Sequence, residues 1–161
     1  MFARCLLVAI FIFIFQSSFA ADTPWHQAIL PHFVVRTQSA HKPPGLNLGL
    51  ERIHRRLRFD LFMISPWMSK EQIKIYIYRD QKSYAQGEFK PPPWSNGISI
   101  YEKRLVALYE QPTERKLLEL SAHEMTHLLF ESFWGELGRQ APAWLNEGLA
   151  MMEEVDSVQH P

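Results

Sequence analysis

The sequence predicts an α+β domain, and three stretches carry that reading. Ile73-Lys74-Ile75-Tyr76-Ile77-Tyr78 alternates and is rich in branched and aromatic residues, as a strand is. Leu46, Leu50, Ile53, Leu57 and Leu61 recur every three or four residues, the period of an amphipathic helix. Beyond two more strand-like runs, Thr113 and Pro142 each open a long helical stretch.

The chain has 161 residues, room for one domain, and 17 basic residues balance 17 acidic ones. That balance gives no electrostatic case for nucleic acid. The one basic run, His54-Arg55-Arg56-Leu57-Arg58, reads either as the solvated face of a helix or as an anion or lipid contact. At the start, Arg4 precedes an apolar run from Cys5 to Phe15, and Ser18-Phe19-Ala20 supplies small residues before a cut. Residues 1–20 therefore read as a signal peptide cleaved after Ala20, leaving an exported domain of residues 21–161, periplasmic or extracellular. An uncleaved anchor is the alternative, but the apolar run is shorter than the roughly 20 residues a membrane-spanning helix needs. Cleavage removes Cys5, the only cysteine, so the mature chain would hold no disulfide and no thiolate ligand.

Within that domain a loose start through Pro24 and Trp25 leads to a short strand at residues 32–37. Lys42-Pro43-Pro44-Gly45 is a turn. The periodic helix spans residues 46–63 and ends at Ser65-Pro66. The strand at 73–78 follows. Asp80 caps a short helix through Ala85, and Pro91-Pro92-Pro93-Trp94 opens a loop. Residues 98–101 and 105–109 are two strands joined so tightly by Glu102-Lys103-Arg104 that they form an antiparallel hairpin. The next helix runs from Thr113 to about Phe133, with Gly135 and Gly138 ending it. A last helix starts near Pro142 and passes Met152.

These two helices hold the chemistry. His123-Glu124-Met125-Thr126-His127 places two imidazoles four residues apart, on one helical face and within reach of a single Zn²⁺. Glu124, one residue round, suits the side of a metal-bound water, where a carboxylate serves as general base. Two hydrogen-bonded core histidines would leave the same pentapeptide. A catalytic zinc takes three protein ligands and keeps one open position. Glu147, in the mostly apolar Pro142–Ala150 stretch, is the candidate third ligand, because an unpaired carboxylate there is costly to bury. If it is exposed, that reasoning lapses. Gly148 in a helix interior suggests a close approach by another element. Glu153 and Glu154 read as surface residues.

His-Glu-Met-Thr-His followed by Trp144-Leu145-Asn146-Glu147-Gly148-Leu149-Ala150 resembles the gluzincin zinc metallopeptidases, in particular the peptidase MA-like domains. The resemblance is close over His123–Ala150 and looser over most of the mature chain. It implies a zincin-like single domain, a small mixed sheet whose antiparallel edge hairpin packs on the helix bearing the two histidines. The glutamate-ligand helix follows. It implies one Zn²⁺ on His123, His127 and Glu147, and a peptide or protein substrate paired along the edge strand at 97–101. Asn146 matches a position that steadies the metal site. The chain departs from larger relatives in two ways: residue 151, where some carry an acidic partner for a histidine ligand, is Met, and the electrophile that would assist zinc is unidentified. Tyr101 and Tyr109 are candidates for that electrophile or are hairpin core residues. The expected function is thus an exported zinc metallopeptidase with Glu124 as base. The alternative is a zincin-fold metal-binding or scaffold domain with little turnover, and a partner that completes the cleft is a third possibility.

Overall fold

The computed structural model describes residues 24–159, so the leader segment and its cut site lie outside the described residues. Along the chain run strands β1 (His26–Ile29) and β2 (Phe33–Thr37), helix α1 (Leu46–Asp60), strand β3 (Ile73–Tyr78) and helix α2 (Gln81–Ala85). Strands β4 (Gly97–Ile100) and β5 (Leu105–Tyr109) follow, then helices α3 (Glu114–Glu136) and α4 (Ala143–Gln159). The five strands make one mixed sheet in the order β1-β2-β3-β5-β4. β2, β3 and β5 are parallel, and antiparallel β1 and β4 close the two edges.

Alternation along the strands divides the sheet into two faces. Ile73, Ile75 and Ile77 join Phe33, Val35, Val106 and Leu108 against α1 and α3, whose Leu50, Ile53, Leu57, Met125 and Leu128 are fully or almost fully buried. Each large aliphatic side chain so buried stabilises the fold by about 1.5–3 kcal/mol before chain entropy is counted. On the other face Tyr76, Tyr78, Leu105 and Ala107 pack with Tyr84 of α2.

The expected hairpin is present, with Gly97 opposite Leu108 and Ile100 opposite Leu105. Its turn is a single 3-10 turn closed by Arg104 in the left-handed region at φ 51°. The cap of α2 is also as expected: Asp80 accepts from the Ser83 amide at 2.7 Å.

The structure departs from expectation at four places. The segment read as a loose start contains β1, an edge strand exposed at three of its four residues and so lacking any apolar alternation to betray it. α1 stops at Asp60 rather than Met63, and residues Phe62–Ile64 form a 3-10 turn. α3 continues through Gly135, and it is Gly138, at φ +65°, that turns the chain. Gly148 makes no close approach, since a Cβ there would meet nothing within 4 Å.

Candidate metal centre

α3 starts where Thr113 Oγ1 accepts from the Lys116 amide at 3.2 Å, with Glu114 in the first turn facing the positive helix end. Its apolar side, including Leu117, Met125, Leu128 and Leu129, is pinned to the sheet. That fixes the opposite side, with His123, Glu124, His127 and Glu131, toward β4 and α4. These four line a cleft of about 680 Å³ that also includes Gly97–Ser99 of β4 and Asn146, Glu147 and Glu154 of α4.

The two imidazoles stand nearly perpendicular, at 84°, with their Nε2 atoms 3.0 Å apart. Glu147 Oε2 lies 3.8 Å from the first Nε2 and 3.7 Å from the second. A triangle of that size has a point about 2 Å from all three corners, the length of a zinc–nitrogen or zinc–oxygen bond. Among the described residues this is the one group of three such side chains that converges. Burial, and then the neighbouring His127, hold the His123 pKa below its usual 6.5 against the opposing pull of Glu154 and Glu147. The neutral imidazole so favoured is the form that binds a metal.

Further side chains support the group from behind. Glu154 Oε2 is 3.1 Å from His123 Nδ1, placing a carboxylate on the ring nitrogen that faces away from the triangle. His127 Nδ1 and Asn146 Oδ1 are both buried without a hydrogen-bond partner. With Nε2 engaged by a metal, Nδ1 would carry the proton, so the two orphans are complementary in kind, a donor and an acceptor in one cleft. The Asn146 amide instead donates to Glu131 Oε1 at 3.1 Å, and Ser99 Oγ donates to Glu131 Oε2 at 3.5 Å. Asn146 thus braces the cleft through Glu131.

Glu124 is only 7% exposed. Its carboxylate is packed against the backbone of Gly97, where a Cβ would fall 2.7 Å from its Cγ and Oε1. Only glycine leaves room for it there. Burial first, then the charges of Glu131 and Glu147, push its pKa up to about 8. Without a cation beside it such a carboxyl is mostly protonated at pH 7, and a divalent cation held by the neighbouring triangle would favour the ionised form that a general base needs.

All four residues expected at the site, His123, Glu124, His127 and Glu147, therefore line one cleft. Several supporting expectations need correction. The Glu147 side chain is 62% exposed, so avoidance of a burial cost is not why it points at the histidines. Glu153, read as a surface residue, is 1% exposed, and Glu154 turns inward to His123. Tyr101 packs against Gly135, and Tyr109 Oη donates to Asn96 at 2.7 Å; neither lines the cleft. Of the Pro91–Trp94 loop, Pro91 is buried, while Pro92 and Trp94 form part of the cleft rim.

Glu131 and Glu154 were the residues not foreseen. Glu131 lies two turns beyond Glu124 on α3, a spacing that puts the two on one side of that helix, whereas the contact of Glu154 with His123 depends on how α4 packs against α3. No protein-family model matches the chain, and no curated protein matches its sequence.

Proposed function

We propose that the chain is an exported zinc-dependent peptidase of zincin-like fold, with His123, His127 and Glu147 as metal ligands and Glu124 as general base. The observation that carries the proposal is the convergence of two Nε2 atoms and one carboxylate oxygen on a metal-sized triangle, beside the buried carboxyl group of Glu124. Zinc held by these three side chains would supply a Lewis acid and lower the pKa of a bound water to near 7. Glu124, placed beside the triangle by the backbone of Gly97, would accept a proton from the attacking water and deliver it to the leaving amine. Glu154 keeps the His123 ring oriented. β4 is the edge of the sheet and a wall of the cleft, so an extended substrate backbone can pair along Gly97–Ile100.

One observation favours the second reading, a metal-binding domain with little turnover: neither tyrosine considered as an oxyanion donor reaches the cleft. Glu124→Gln separates the two. The exported protein is expected to contain one zinc per chain by elemental analysis, lost in His123→Ala, His127→Ala and Glu147→Ala. Glu124→Gln should keep the zinc and lose cleavage of a peptide library by about 10²–10⁴-fold, the usual worth of a general base. Zinc binding without cleavage by either protein establishes the non-catalytic reading. Equal cleavage by both moves the chemistry away from Glu124.

A further inference from the structure

The outward side of α1 bears residues that a solvated helix face does not call for. Leu46, Leu50, Ile53 and Leu57 face the core. Leu48, Arg52, Arg55 and Phe59, spaced by four, three and four residues, make one stripe on the opposite side. Leu48 is 59% exposed and Phe59 85%, and directly after the helix Phe62 and Met63 are 50% and 85% exposed. Four large apolar side chains thus stand in solvent beside three arginines, Arg52, Arg55 and Arg58.

Those arginines lack counter-ions among the described residues. The neighbouring Arg56 pairs with Asp60, but Arg52, Arg55 and Arg58 form no ion pair. Asp60, near Arg58, is taken by Arg56, and Glu51, beside Arg52, is engaged by His32, whose Nδ1 lies 2.6 Å from Oε2 and whose amide donates to Oε1 at 3.1 Å. A hollow of about 340 Å³ opens among Arg52, Arg55 and Arg58, with His32, His54 and Leu48 also on its lining and Glu51 as its one acid. A chain that is neutral overall therefore gathers three arginines against one engaged acid at this place, with exposed Leu48 and Phe59 on the same stripe and exposed Phe62 and Met63 directly after the helix.

We infer that this face of α1 docks on an anionic lipid bilayer. The arginines meet headgroup phosphates, one of them seated in the hollow, while Phe59, Phe62 and Met63 enter the boundary between headgroups and acyl chains. Guanidinium groups pair with phosphate in two-pronged fashion, and apolar side chains flanking them add the area that free phosphate cannot reward. Charge complementarity together with adjacent bare aromatic and thioether side chains distinguishes this partner from a soluble anion, which would use the arginines alone. The face lies on α1 and is separate from the α3–α4 cleft, so the inference stands whether or not that cleft is a peptidase site.

The test is cosedimentation of the exported protein, its mass measured so that the state of the leader is known. The vesicles are phosphatidylcholine alone or the same lipid with phosphatidylglycerol. The expected result is binding to the mixed vesicles only, suppressed by salt. Arg52→Glu with Arg55→Glu should lower it at least about 30-fold, from the loss of two surface cations. Phe59→Ser with Met63→Ser should lower it at least about 10-fold. All four side chains are exposed, so thermal unfolding should be unchanged in both variants. No vesicle binding, equal binding to both lipids, or binding indifferent to the variants overturns the inference. So does calorimetric binding of inorganic phosphate without vesicle binding, which assigns the hollow to a free anion. Self-association that depends on Phe59, without vesicle binding, assigns the face to a second copy of the chain.

Discussion

Glu154 Oε2 stands 3.1 Å from His123 Nδ1, on the side of the ring turned away from Glu147. A carboxylate there fixes the tautomer and raises the basicity of the opposite nitrogen. Glu154→Gln should therefore weaken zinc binding and Glu154→Ala weaken it further, within a span of about 10–100-fold. Competition against a chelator of known affinity measures this. Equal affinity in all three proteins would remove Glu154 from the support of the site.

Gly97 offers a test that leaves every ligand intact. A Cβ there would meet the Glu124 carboxylate at 2.7 Å, so Gly97→Ala must move either the carboxylate or the strand. Displacement by about 1 Å can cost about 10²-fold in rate. The expected outcome is a full zinc content with kcat lowered at least about tenfold. Unaltered kcat would show that Glu124 tolerates displacement and is not the positioned base.

Gly148 should behave in the opposite sense. It sits inside α4 with open space where a side chain would go. Gly148→Ala should raise stability by up to about 1 kcal/mol, because alanine loses less backbone freedom in a helix. For a domain of this size that is a rise of roughly 3–6 °C in the melting temperature. An unchanged or lowered melting temperature would overturn this expectation.

His54 sets an acid limit to stability. It is 1% exposed, stacked 3.9 Å from the His32 ring, and its Nε2 lies 3.2 Å from the Met68 carbonyl oxygen, which accepts. Burial, then the charge of His32, holds its pKa below the usual 6.5, with Arg58 acting in the same direction and Met68 and Glu51 opposing. In the unfolded chain it takes a proton near 6.5, and in the folded chain only at lower pH. Over that interval the unfolded state binds more protons, so stability is present above 6.5 and lost as pH falls below it. Urea unfolding measured at successive pH values should show this loss, at no more than about 1.4 kcal/mol per pH unit from this group. His54→Gln should flatten the dependence. An unchanged slope would place the acid sensitivity elsewhere.

The core side of α1 was legible from the contrast between a buried and an exposed face. β3, buried on both faces, was legible from its branched and aromatic residues, and the caps at Asp80 and Thr113 from local side-chain chemistry. β1 was illegible because an edge strand exposed on both sides has no such contrast. Leu61 and Met63 appeared to prolong α1 because an apolar residue is counted as inward by default, whereas Met63 points to solvent. At the site, the spacing of His123 and His127 gave the shared face directly. Glu147 was selected by its neighbours' polarity, a poor guide because helix α4 leaves that side open. Glu154 was missed because its role depends on the packing of α4 against α3, which no pattern within α4 reveals.

The order of the strands also bears on how the molecule is made. Every strand of the sheet ends by Tyr109, while His123, Glu124, His127, Glu147 and Glu154 all come later on the two helices. Translation proceeds from the N-terminus, so β4 and its Gly97 notch can be in place before any of the convergent side chains has been synthesised. The wall precedes the convergent side chains, and a nascent chain halted between α3 and α4 carries His123, Glu124 and His127 but not the third corner of the triangle.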